Sequence, residues 1–267
     1  MTNAAATRWA QALAEWALPA EILDQAATSP WEHPVKRFAD RADDAASHPG
    51  GWSYERAGSA LPPGGSVLDV GVGAGAASLP LARRASRITG VDCDARMLAA
   101  FTDRVAATPA QGVAVEGTWP DVAGQVGPHD VAVAHHVAYN VADLVPFLRA
   151  LTDAAIHGVV VELPPRHPMS WANPLWRQFW DLDRPTGPTA DDFVAVVTEL
   201  GVTGLVVYRW TRDDPDLTPL DERAALVAQR LCLPNDRVGE VRDAIAGLPP
   251  NQRRDVVTVA WDGSGSR

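Results

Sequence analysis

The stretch Val67-Leu-Asp-Val-Gly-Val-Gly-Ala-Gly75, followed by Ile88-Thr-Gly-Val-Asp92, constrains this chain more than any other. It reads as an apolar strand, a glycine loop, a helix, and a second strand that ends in an acid. That layout is one nucleotide-binding half of a doubly wound α/β sheet. Asp69 stands just before the loop. A pyrophosphate brought there would meet a carboxylate, whereas a ligand carrying positive charge would be attracted.

The residues around this unit continue the alternation. Strands are expected at 66–70, 87–92, 112–116, 130–135 and 157–163, with helices near 76–85, 95–106 and 141–155. Pro80 and Pro146 fall inside two of those helices and disturb their regularity. Gly158-Val-Val-Val-Glu-Leu163 is an apolar run up to Glu162, as suits a strand buried on both faces. Thr189-Ala-Asp-Asp192 is a helix-start box before a helix that Gly201 closes. A strand at 204–210, helices at 219–232 and 236–247, and a last strand at 254–261 follow. Gly263 to Arg267 reads as a frayed tail.

Composition narrows the partners. The net charge is −10, from 23 basic against 33 acidic residues, and Lys36 is the only lysine. Without a basic run a nucleic-acid backbone has little to hold. Cys93 and Cys232 make neither a disulfide framework nor a metal cluster. No leader and no membrane-spanning run is evident, so a cytoplasmic protein with no membrane partner is expected. Oligomeric state is open. Ten tryptophans are many for this length. They serve either as core or as walls of a pocket for an organic substrate.

The motif Val67–Gly75, with Gly90-Val-Asp92 and Met97-Leu98, resembles that of the class I S-adenosylmethionine-dependent methyltransferases. The likeness spans roughly residues 60–212. It implies a doubly wound α/β sheet of seven strands, mostly parallel with the last antiparallel, and helices on both faces. It also implies S-adenosylmethionine as donor, S-adenosylhomocysteine as product, and no metal. S-adenosylmethionine carries an ammonium and a sulfonium and no phosphate, which agrees with Asp69 at the loop. By this resemblance Gly71, Gly73 and Gly75 let the donor approach the backbone, Asp69 attracts its ammonium, and Asp92 accepts its ribose hydroxyls. Cys93 and Met97 border the adenine. Relatives carry an acid where this chain has Thr118, so Trp119 or Asp121 would compensate there. His135 contacts the donor's methionine portion.

The acceptor is not readable, but a small organic molecule is favoured. Oxygen acceptors need a base, and histidine has a suitable pKa. His136 is the first candidate, with His135, His167 and Tyr139 behind it. Strand alternation sends only one of His135 and His136 toward the ligand. Asn140, Trp171, Trp176 and Trp180 are candidates for acceptor binding. Residues 1–60 are expected as a helical cap over a domain at 61–267, with a substrate lid at 165–190 and a helical insertion at 213–250. Nitrogen, carbon or sulfur methylation and non-catalytic donor binding are the alternatives. A nicotinamide-dependent dehydrogenase is a weaker one, since Gly71-x-Gly73-x-x-Ala76 also fits a dinucleotide loop.

Overall fold

A computed structural model describes residues 3–26, 28–32, 34–213, 218–247 and 253–266. Among them, four helices precede the sheet: α1 (Ala4–Ala14), α2 (Ala20–Leu23), α3 (Val35–Ser47) and α4 (Trp52–Ala60). Then come β1 (Gly65–Val70), β2 (Ala85–Asp92), α5 (Ala95–Val105), β3 (Gln111–Glu116), α6 (Ala123–Val126) and β4 (His129–His135). Next are α7 (Leu144–Ala154), β5 (Ala155–Leu163), α8 (Asn173–Trp180) and α9 (Ala190–Glu199). The described chain ends with β6 (Val206–Asp213), α10 (Leu220–Arg230), α11 (Val238–Ala246) and β7 (Arg253–Asp262). Of the segment 213–250, expected as a helical insertion, Asp213 belongs to β6 and α10 and α11 follow; residues 214–217 and 248–250 lie outside the described residues.

The seven strands lie in the order β3-β2-β1-β4-β5-β7-β6. β7 runs antiparallel between β5 and β6, and the remaining pairs are parallel. β1 pairs with β2 on one side and β4 on the other, so the winding reverses between β1 and β4. A ligand crevice opens at the carboxyl ends of the strands at such a reversal.

Two expectations fail for local reasons. Residues 76–85 form turns and a short 3-10 segment, Leu79–Leu81, rather than an α-helix. Pro80 lacks the N–H and its ring crowds the carbonyl four residues back, which excludes a regular helix there. Pro146 does no such harm. It is the third residue of α7, where no intrahelical N–H bond is required. The tail is docked rather than frayed as far as it is described. The Ser264 hydroxyl donates to the Ala155 carbonyl at 3.1 Å, and Gly263 lies so close to Ala155 and Ile156 that a Cβ would collide with their backbone.

Residues 1–60 divide among three places. Trp9 of α1 is fully buried on one face of the sheet, stacked on Tyr139 and edge-on to Phe193, with α7 and α9 beside it. α3 and α4 pack with α5 on the opposite face. Between them Leu18 and Ile22 join a separate apolar cluster with Leu175 and Trp176 of α8 and Val227, Val241 and Ile245 of α10 and α11. The expected cap, lid and insertion thus share one small core.

Candidate active site

The donor end is built by the chain nearest the glycine loop. Gly71 and Val72 donate their N–H groups to the Val91 carbonyl at 2.8 and 3.0 Å, which ties the loop to β2. Gly73 has φ +52, and a Cβ there would stand 3.3 Å from the ring of Phe38 on α3. Only glycine takes this conformation without strain. Asp92 accepts from the Gly73 N–H at 2.8 Å and, through its other oxygen, from the Asp94 N–H at 3.0 Å. Each carboxylate oxygen keeps a second lone pair for a ligand hydroxyl.

Asp69 lies beneath the loop, 1% exposed. One oxygen accepts from the Ser78 hydroxyl at 2.6 Å, and the other has no partner. Burial, with the charge of Asp92 added, pushes its carboxyl up to about 7 despite the Ser78 bond.

The residues expected to border an adenine are less ordered around one another. Cys93 is exposed, Thr118 and Asp121 are exposed, and Met97 is buried. Trp119 does not offer itself as an adenine partner. Its ring is in the core, and its N–H donates to the Phe147 carbonyl at 3.2 Å.

The second assembly sits at the ends of β4, β5 and β6. His135 pairs in register with Glu162, and Glu162 with Thr258. Alternation places His135 on the Glu162 face, and would send His136 to the other. It does not, because His136 turns out of the strand at φ 61. Its N–H donates to the Glu162 carbonyl at 2.7 Å, and its Nε2 comes 3.1 Å from Glu162 Oε1. That contact is an ion-pair distance without good hydrogen-bond alignment, since Nε2 also counts among the buried atoms lacking a partner. The two histidines are therefore not exclusive.

Arg212 Nη1 donates to the same Glu162 oxygen at 3.1 Å. Burial alone would raise the Glu162 carboxyl. His135, His136 and Arg212 outweigh it and hold the group well below the usual carboxylate range. Burial, helped by the charges of His136 and Arg212, lowers His135 to about 4 against the pull of Glu162. Neither Glu162 nor Arg212 was singled out from the sequence. The available signal was an acid inside the apolar run of β5.

The third feature is a separate cavity of about 220 Å³, which none of His135, His136, Glu162 and Arg212 lines. Trp16, Trp31, Trp176 and Tyr139 supply aromatic walls, and Asn140, His167, Arg184 and Arg230 supply polar ones. Of the expected lid tryptophans, only Trp176 reaches it. Trp180 donates its ring N–H to the Leu231 carbonyl at 2.7 Å in the cap core, and Trp171 is 49% exposed.

Two candidate bases are unsuited to that role. The Tyr139 hydroxyl donates to the Pro164 carbonyl at 3.0 Å; burial, with Asp192 and Asp191 adding to it, raises its pKa further. His167 Nδ1 accepts from the Met169 N–H at 3.3 Å, so its proton resides on Nε2. Burial and the charge of Arg184 lower it to about 4, which keeps it neutral near pH 7. Among the described residues no cluster of His, Cys, Asp and Glu could hold a metal. Among the described residues no helix is long and apolar enough to cross a membrane.

Residues 67–155 match a family model described as a methyltransferase domain. No curated protein matches the chain. The solved cyclopropane-fatty-acyl-phospholipid synthase-like protein from Lactobacillus casei ATCC 334 is similar with a TM-score of 0.55 at 15% identity, over 90% of this chain and 98% of that one. A candidate methyltransferase from Bacillus halodurans C-125 gives a TM-score of 0.52 at 13% identity, over 79% of this chain and 96% of that one. At such identities the structural likeness is one of fold. The family match spans the glycine loop, Asp92 and both strand-end histidines. Residues 67–155 thus match a methyltransferase domain, and the fold around them is the one these solved structures share.

Proposed function

We propose that this chain methylates an oxygen of a small organic molecule, with His136 as the general base and Glu162 holding it. The residues at the donor end fit S-adenosylmethionine. The glycine loop leaves no room for a side chain at Gly71, where a Cβ would stand 2.4 Å from Val137. Asp92 has lone pairs for the ribose, and Asp69 has an unpartnered buried oxygen that favours the donor's positive charge. When bound, the donor supplies a methyl group on a sulfonium: the new O–C bond forms as the S–C bond breaks and its electron pair returns to sulfur.

The observation that carries this reading is the His136–Glu162 pair at the sheet reversal. With Nε2 toward Glu162, Nδ1 is the nitrogen left to take the acceptor's proton. Glu162 then faces the charge that forms on His136, and His135, His136 and Arg212 together hold Glu162 below the usual carboxylate range. His135 stays neutral beside them. A cavity of about 220 Å³ suits a small molecule, and the net charge of −10 disfavours a nucleic acid.

The test is single-turnover methylation by His136→Ala across pH. Loss of a general base costs about 10²–10⁴-fold in rate with donor affinity little changed. A full rate with the wild-type pH profile removes His136 as base and favours a nitrogen or sulfur acceptor, which needs positioning alone.

A further inference from the structure

We infer that the cavity binds its acceptor as an anion: a single-ring aromatic carboxylate, with the ring between tryptophan faces and the carboxylate on Arg184 and His167. This rests on reading the cavity as the acceptor site. Its size sets the ring count. A volume of about 220 Å³ lies above the roughly 150 Å³ that holds benzene and below the smallest drug-sized sites of about 300 Å³. One ring with one or two substituents fills it.

Its polar lining sets the charge. No carboxylate lines the cavity among the described residues, although acids outnumber bases in the chain by 33 to 23. Arg184 is bonded to neutral groups only. Its Nη1 donates to the Ala17 carbonyl at 3.2 Å and its Nη2 to the Trp16 carbonyl. Its Cζ lies 5.2 Å from the centroid of Trp16 and 5.4 Å from that of Trp176. Nε, by contrast, is buried without a partner. A buried guanidinium N–H left unpaired is costly, and an anionic oxygen satisfies it best.

His167 supplies a second donor. Its ring is stacked on Trp16 at 3.8 Å, and with Nδ1 committed to the Met169 N–H, Nε2 presents a hydrogen rather than a lone pair. Two donors that both pack against Trp16 suit a carboxylate. The same lining disfavours a cationic or a purely apolar ligand, since neither gives Arg184 Nε an acceptor.

The experiment is titration of the full chain, saturated with S-adenosylhomocysteine, with benzoate and with neutral benzamide, followed by tryptophan fluorescence and calorimetry. Methyl transfer to 4-hydroxybenzoate is assayed separately. Benzoate should bind at least tenfold more tightly than benzamide. His167→Phe, which keeps the stack on Trp16, and Arg184→Gln should each erase most of that preference while S-adenosylhomocysteine binding stays unchanged. Equal affinity for the two ligands, or binding of neither, overturns the anion assignment. Benzoate affinity unaltered in both variants and in Trp176→Ala places the ligand elsewhere and overturns it too. Selective binding of carboxylates with no transfer to 4-hydroxybenzoate supports the assignment and counts against the oxygen-methylation reading instead.

Discussion

The two ends of the ligand crevice are made in opposite ways. At the donor end, Asp69, the glycine loop, Asp92 and Asp94 come from two adjacent strands and the turns that leave them. At the cavity proposed for the acceptor, Trp16, Trp31, Tyr139, His167, Trp176 and Arg230 come from six places along the chain and meet only through tertiary packing. The ends also differ in charge: carboxylates gather at the first, guanidinium groups at the second. One is a local motif and the other a long-range assembly.

The largest effect that can break the comparison is at the loop. Gly73→Val forces a β-branched residue to φ +52 and against Phe38. Binding of S-adenosylhomocysteine by calorimetry should fall below detection, while circular dichroism and benzoate binding persist. Simultaneous loss of both ligands would show that the two ends are one cooperative unit.

Next is the charge on Asp69. Its folded pKa, about 7, lies above its ordinary value of 3.8. Its contribution to stability is therefore fully present below pH 3.8 and is lost as pH rises through 7. A difference of about three pKa units corresponds to about 4 kcal/mol. Urea midpoints of wild type and Asp69→Asn should diverge between pH 4.5 and 8, the variant gaining by about 3 kcal/mol. Parallel pH curves would mean that the carboxylate is ionised throughout, with a cation or water on its second oxygen.

How far the sequence could be read follows the same division. β1, β2 and the loop were legible because strand period, glycine spacing and the acid at Asp92 are all short-range signals. The helix after the loop was misread, since Pro80 outweighs the apolar pattern around it. At the histidines the period-2 rule failed at one residue, because nothing in His135-His136 announces the left-handed turn at φ 61. Glu162 left a trace: an acid in a strand buried on both faces needs partners, although the sequence does not name Arg212 as one of them. The cavity left almost none. Trp171, Trp176 and Trp180 look alike in sequence, and tertiary packing alone decides that one lines the cavity, one anchors the cap and one faces solvent.

A smaller effect tests whether Asp92 serves the donor or only the loop. Each charge-assisted hydrogen bond to the ribose is worth about 1.5–3 kcal/mol, and Asp92→Ala should weaken S-adenosylhomocysteine by that order. Asp92→Asn retains an acceptor oxygen for the Gly73 N–H, and its amide still reaches a hydroxyl. It should recover part of the affinity. If Asn and Ala variants bind as wild type does, Asp92 is a loop tether and nothing more.

The smallest expected effect concerns the segment that joins the two ends. Glu32 accepts from Arg96 Nη1 at 3.0 Å, four residues past Asp92. On the other side, Gln229 donates to the Ser29 carbonyl at 2.8 Å and Arg230 to the carbonyls of Pro30 and Glu32. Residues 29–32 thus form a strap from α5 to α10 across the crevice. The Glu32–Arg96 pair is about half exposed on both sides, at 49% and 55%, so it adds under about 1 kcal/mol to stability. Its weakness suits a part that must open for ligands to pass. Glu32→Gln leaves the Arg96–Asp94 contacts in place and should barely move the urea midpoint. It should nevertheless release S-adenosylhomocysteine several-fold faster, and 0.5 M salt should bring wild type toward the same rate by screening the pair. In wild type, residues 28–32 and 165–185 should exchange their amide hydrogens more slowly once product is bound. Release rates that ignore both the variant and the salt, with exchange equal in the two states, would make the strap a fixed packing element. The two ends of the crevice would then be joined by structure rather than by a moving part.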